Sequence, residues 1–68
     1  IQADSVTALH DKLQQLPPAQ QDVLVLRFLL GYNLKETAEI MGKKANAIKA
    51  LQHRALERLR IVWYREVK

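Results

Sequence analysis

Helix breakers stand at three places in this chain, and no stretch between them reads as a strand. Pro17 and Pro18 are adjacent, Gly31 and Gly42 stand alone, and the 68 residues hold no other glycine or proline. Proline disfavours helix in the residue before it. Glycine adopts the left-handed conformation that closes a helix without a steric penalty. No sustained apolar/polar alternation with β-branched residues occurs. The breakers therefore divide an all-α chain, a small four-helix domain.

The helical periodicity agrees with these divisions. Val6, Leu9, Leu13 and Leu16 recur every three or four residues and predict one face of a first helix, capped by Asp4 or Ser5 and stopped by the two prolines. Pro18 suits the first turn of a second helix, where its missing N–H costs nothing. That helix carries Val23, Leu24, Leu26, Phe28, Leu29 and Leu30, and so much apolar surface predicts that it is buried or covered; Gly31 ends it. Asn33 and Glu36 have the spacing of a capping box at the start of a third helix. Leu34, Thr37, Ala38 and Met41 form its predicted inner face, and Gly42 ends it. A fourth helix begins near Ala45 and meets no breaker before Lys68, with Ile48, Leu51, Ala55, Leu59 and Val62 along one stripe.

The run from Asn33 to Arg60 is thus a short helix, a glycine turn and a longer basic helix, the pattern of a helix-turn-helix at about residues 33–60. The small Ala38 and the glycine at the turn, Gly42, are expected to let the two helices approach closely. Charge follows the same division. Up to Asn33 two basic and three acidic residues sum to −1; from Leu34 onward nine basic and four acidic residues sum to +5. A basic half beside a near-neutral half suits a polyanion on one surface and a different partner on the other.

A helix that reads duplex DNA must dock by an apolar stripe and present short or hydrogen-bonding side chains to base edges. Asn46, Lys49, Ala50, His53 and Arg54 share the face opposite the stripe. Lys and Arg can donate to guanine O6 and N7, and Asn can pair with adenine. Ala50 allows close approach or contact with a thymine methyl. Lys43, Lys44, Arg58 and Lys35 flank this face and suit phosphates. The first-turn N–H groups of the helix can bind a phosphate as well.

Other functions are excluded on chemistry. No Ser/His/Asp set, phosphate loop or metal-ligand spacing occurs, so an enzyme is not expected. His10 reads as a helix-surface residue and His53 as a DNA-facing or surface residue. There is no cysteine for a disulfide or thiolate site, which fits a reducing cytosol. No apolar stretch approaches the roughly 18 residues a membrane span needs. Trp63 and Tyr64 lie two turns beyond the reading face and are expected to cover the core or a partner interface. The start at Ile1 suggests a piece of a longer protein.

Three stretches carry a resemblance: the helix before Leu16, LPPAQQDVLVLRFLLGYNLKETAEIMG from Leu16 to Gly42, and AIKALQHRALERLR from Ala47 to Arg60. The chain resembles region 4 of bacterial RNA polymerase sigma factors of the extracytoplasmic-function group. The likeness rests on Leu16, Pro17, Arg27 and Gly31 at the opening. At the close it rests on His53, Arg54, Ala55, Glu57, Arg58 and Leu59. It implies recognition of the −35 promoter element, a second contact with the polymerase β flap, and regulation by an anti-sigma factor. It implies no cofactor, no membrane and no small-molecule substrate. The chain departs from the family pattern at Lys43, Lys44, Ala47 and Leu51. Many members carry Ile or a similar residue at the first, a hydroxyl at the next two and Arg at the last. The departures remove a hydroxyl cap, one phosphate contact and one basic groove residue. Two rivals share the helical plan. One is the DNA-binding effector domain of a LuxR-type response regulator. The other is a helical interaction module whose basic face is only solvated.

Overall fold

In the computed structural model, residues 3–67 are described, and side chains for residues 8–65. The predicted caps Asp4 and Ser5, and Val6 of the apolar stripe, lie outside the described side chains. Four helices follow one another: α1 (Ala3–Leu13), α2 (Pro18–Leu24), α3 (Leu34–Met41) and α4 (Ala45–Val67). No strand occurs among the described residues. None of the described helices is long and apolar enough to cross a membrane.

α4 is the organising element, since α1, α2 and α3 all pack against it. Its stripe of Ile48, Ala55 and Val62 is buried with Leu13, Leu16, Val23, Leu24 and Ala38, and Leu9, Val25, Leu34, Met41, Leu51 and Leu59 pack around that cluster. Every residue of the predicted α4 stripe is therefore in the core or against it. So is the predicted inner face of α3, where Thr37 is also fully buried, its hydroxyl without a hydrogen-bond partner.

Local chemistry fixes the joints. Pro17 sits at the N-cap of α2 and Pro18 in its first turn. The Gln21 side-chain amide donates to the Leu16 carbonyl at 2.8 Å and ties the joint to α2. At α3 the capping box is complete: the Glu36 N–H donates to Asn33 Oδ1 at 2.8 Å, and the Asn33 N–H donates to Glu36 Oε1 at 2.9 Å. Gly42, at φ 66°, closes α3, with the Lys43 N–H on the Ala38 carbonyl and the Gly42 N–H on that of Glu39. These two bonds form a Schellman motif. Asn33→Ala is expected to lower the unfolding free energy by about 1 kcal/mol, because it orphans the Glu36 N–H. Asn33→Asp should leave it nearly unchanged. Urea unfolding followed by circular dichroism checks this, and equal midpoints for Ala and wild type would contradict it.

Two expectations need correction. α1 ends at Leu13 rather than at the prolines, and the chain leaves it through tight bonds from the Gln15 N–H to the Lys12 carbonyl and from the Leu16 N–H to the Leu13 carbonyl. Leu16 is still buried, but in the turn rather than on the helical face. Gly42 is not needed for close approach: a Cβ there would meet nothing within 4 Å. Its positive φ is what requires glycine. The apolar second helix is buried only in part, as the surplus of apolar residues in the first half requires. After Leu24 it runs on into a π-helical segment, Val25–Leu29, closed by the Leu30 N–H on the Val25 carbonyl at 2.9 Å. Phe28, Leu29 and Leu30 are 56%, 55% and 62% exposed. Successive helical residues diverge by about 100°, so a continuous apolar run cannot all face one core.

Candidate nucleic-acid interface

The turn at Gly42 delivers Lys43 and Lys44 to the surface immediately before α4. The Lys44 carbonyl accepts the first helical bond of α4, from the Ile48 N–H at 3.0 Å. The N–H groups of residues 45–47 thus precede that bond and lie at the helix start, where partial positive charge favours an anion.

Asn46, Lys49, Ala50, His53 and Arg54 are all exposed on α4. At about 100° per residue they fall within an arc of roughly 140°. Asn46 and Arg54 are separated by about 12 Å of helix at 1.5 Å per residue, a length that fits a major groove. The apolar stripe lies on the other side, so docking on the core and presentation to solvent do not compete. The structure therefore brings these five predicted residues together. Arg58 is exposed about one further turn along, rotated toward the edge of the core stripe, a flanking position. Lys35, on α3, is exposed as well.

The electrostatics of this face are one-signed over its first turns. From Lys43 to Leu56 the chain has four basic side chains and no carboxylate. Glu57 ends that stretch, its Oε1 3.7 Å from His53 Nε2, an ion pair only when the imidazole is protonated. Arg60, not singled out from the sequence, is exposed on the His53 side of the helix two turns on. His10 is exposed on α1 and within 2.8 Å of the Gln14 amide. Among the described residues no group of three or more His, Asp or Glu side chains could hold a metal ion.

Two residues behind the reading face were less visible. Arg27 Nε donates to Gln52 Oε1 at 2.9 Å, and Arg27 Nη1 donates to the Tyr32 carbonyl at 3.0 Å. This joins the π segment and the loop after it to the middle of α4. Arg27 is marked in the sequence as part of the family likeness and Gln52 only by lying within one of its stretches; nothing in the sequence pairs the two.

A second surface is apolar. Leu9 and Leu13 of α1, Leu24, Phe28 and Leu29 of α2 and its π segment, and Leu56 and Leu59 of α4 line a groove of about 170 Å³. At the end of α4, Trp63 is 39% exposed, its ring carrying the Lys12 ammonium at 4.9 Å from the centroid, and Tyr64 is more exposed still. Neither is among the buried core residues or the partly buried ones packed against them.

Comparison with known proteins gives concordant matches. Residues 13–60 match the family model described as Sigma-70, region 4. The chain is 43% identical over 60 residues to the ECF RNA polymerase sigma factor SigD of Mycobacterium tuberculosis, covering 88% of this chain and 28% of that protein. It is 49% identical over 55 residues to the ECF RNA polymerase sigma factor BldN of Streptomyces coelicolor, covering 81% of this chain and 21% of that protein. The chain thus spans between a fifth and a third of the length of these relatives. A chain of the solved RsbN–BldN complex superposes with a TM-score of 0.80 at 46% identity, over 85% of this chain and 42% of that one.

Proposed function

The chain belongs to the Sigma-70, region 4 family, and from that membership we propose that α4 recognises the −35 element of a promoter and so directs transcription initiation. The observation that carries the reading is the exposed, carboxylate-free face from Lys43 to Arg54, set against a stripe on the same helix that is buried at Ile48, Ala55 and Val62. Asn46, Lys49, Ala50, His53 and Arg54 are the base-reading group. Lys43, Lys44 and Arg58 hold the backbone. The role is that of a non-enzymatic DNA-binding module, acting with RNA polymerase in the cytoplasm. The response-regulator reading shares the four-helix plan but not the family match.

The test is selection of a duplex from a random-sequence pool by the chain, followed by titration of that duplex and a scrambled counterpart. A preference that persists as salt is raised supports the reading. Equal affinity for both duplexes would leave only a solvated or non-specific basic face. Within the same titrations, Lys44→Ala and Arg58→Ala are expected to weaken both duplexes alike. Each should lower the slope of log affinity against log salt by about 0.9, the value for one lost phosphate contact. An unchanged slope with lost preference would instead assign them to base readout.

The apolar groove is the proposed surface for protein partners, the β flap of the polymerase core and an anti-sigma factor. Exposed apolar surface of this kind marks a partner site more often than it marks chance. A solved relative occurs in the RsbN–BldN complex, which supports regulation of this kind. Phe28→Ser and Leu29→Ser are expected to weaken binding to the isolated β-flap domain by about 2 kcal/mol each, as central interface side chains do. DNA affinity should stay within about 0.5 kcal/mol, since Phe28 and Leu29 lie on a different element from the base-reading side chains of α4. If these substitutions weakened DNA binding as much as flap binding, the two surfaces would not be separate.

A further inference from the structure

We infer that Arg27 and Gln52 form a positioning brace that sets the placement of the reading helix, so that part of the sequence preference resides in two residues that need touch no base. The inference rests on the DNA-reading role proposed above.

The geometry is specific. The Arg27 guanidinium makes two directed bonds, Nε to Gln52 Oε1 at 2.9 Å and Nη1 to the Tyr32 carbonyl at 3.0 Å. Tyr32 immediately follows Gly31, whose φ of 80° lets the chain reverse there, and the Tyr32 N–H returns to the Leu26 carbonyl at 2.9 Å. The anchor is thus a closed loop rather than a free side chain. Arg27 itself lies in the π-helical segment. At the other end, Gln52 follows Lys49 by three residues and precedes His53. It is half-buried, on the border between the core stripe and the reading face. A planar guanidinium with a fixed fork of donors can hold two acceptors at set angles, which an ammonium cannot.

The apolar stripe does not by itself fix where α4 sits. Aliphatic contacts are non-directional, so they hold a helix by fit alone and no single one of them fixes its rotation. A bond from a charged donor to a half-buried amide oxygen is directional and falls off steeply with misalignment. Here it connects α4 to a segment 25 residues earlier, beside the base-reading positions. Loss of the brace should therefore blur which bases Lys49 and His53 meet. Phosphate attraction, which is insensitive to register, should persist.

The experiment measures the ratio of affinities of the chain for its pool-selected duplex and the scrambled counterpart, with the salt slope of each. The variants are Gln52→Leu, Arg27→Lys and Gln52→Glu. Circular dichroism establishes that each is folded, and Gln52→Leu decides alone should Arg27→Lys not fold. In Gln52→Leu and Arg27→Lys the ratio should fall by about fivefold or more, the low end of what one base contact contributes. The affinity for the scrambled duplex and both salt slopes should be unchanged. Gln52→Glu keeps an acceptor for Arg27 and should retain the ratio, which divides out its added negative charge. Variants that melt earlier but discriminate as wild type does would reduce the brace to a fold contact and overturn the inference. Equal loss on both duplexes with a shallower slope would make Arg27 a phosphate contact and overturn it as well. A wild-type chain without any preference would overturn the DNA reading itself, an outcome distinct from both.

Discussion

Ile48→Ala should cost this domain about 2–5 kcal/mol, the usual range for removing a fully buried Ile side chain. At roughly 0.05–0.15 kcal/mol per residue, a chain of this size has only about 3–10 kcal/mol in total. The substitution is thus expected to leave a substantial unfolded population without any denaturant. Ile48 is among the largest fully buried side chains, with none of its surface exposed. It sits in the first turns of α4, the helix on which the other three pack. So small a domain has no second layer that could collapse into the void. The comparison that tests this is urea unfolding of Ile48→Ala, Ile48→Val and Leu51→Ala. Val should cost about 0.5–1.5 kcal/mol, because only one methyl group is lost. Leu51, half-buried at the rim, should fall below the Ile48→Ala value because part of its surface already meets water. If Ile48→Ala unfolded at the same midpoint as Ile48→Val, the core would not be close-packed around this position.

The parts of this fold that could be read from the sequence are those whose physics is local. The Asn33–Glu36 capping box acts over three residues, and both glycines take the positive φ expected of helix ends. The α4 stripe and its opposite face follow from a single period, so the arrangement of Asn46, Lys49, Ala50, His53 and Arg54 was legible before any packing was known. What failed to show needed partners from elsewhere in the chain. Nothing in Val25–Leu29 distinguishes a π-helical turn from continuing α-helix, because its residues have the same helical character either way. An excess of apolar residues in the first half was countable. Which of them stay exposed depends on how α2 is rotated against α4, and that is a tertiary quantity. The bond from Arg27 to Gln52 spans 25 residues and pairs two side chains whose identities alone suggest only surface polarity. Gly42 shows the reverse error: the residue was right and the reason was not, since its conformation and not its size is what the turn uses.

Replacing both Lys49 and Arg54 with alanine is expected to remove most of the domain's preference for its cognate duplex. Each side chain should contribute about 1–3 kcal/mol of discrimination if it reaches a base edge, the range for a good hydrogen-bonded pair in the major groove. The two lie five residues apart on α4, on either side of the small Ala50, and both are exposed. Five residues of helix put them about 7.5 Å apart along the axis, so they can meet different base pairs. Separate base contacts should make the losses nearly additive, giving about 2–6 kcal/mol for the double variant. Phosphate contacts would behave differently, because both duplexes would weaken together and the salt slope would flatten. The measurement is a four-cornered set of wild type, two single variants and the double variant, each titrated with selected and scrambled duplexes. Single variants that keep the wild-type affinity ratio would move the reading function off this face. The candidates would then be His53 and Asn46, or Arg60 farther along the helix, where Glu57 otherwise interrupts the run of positive charge.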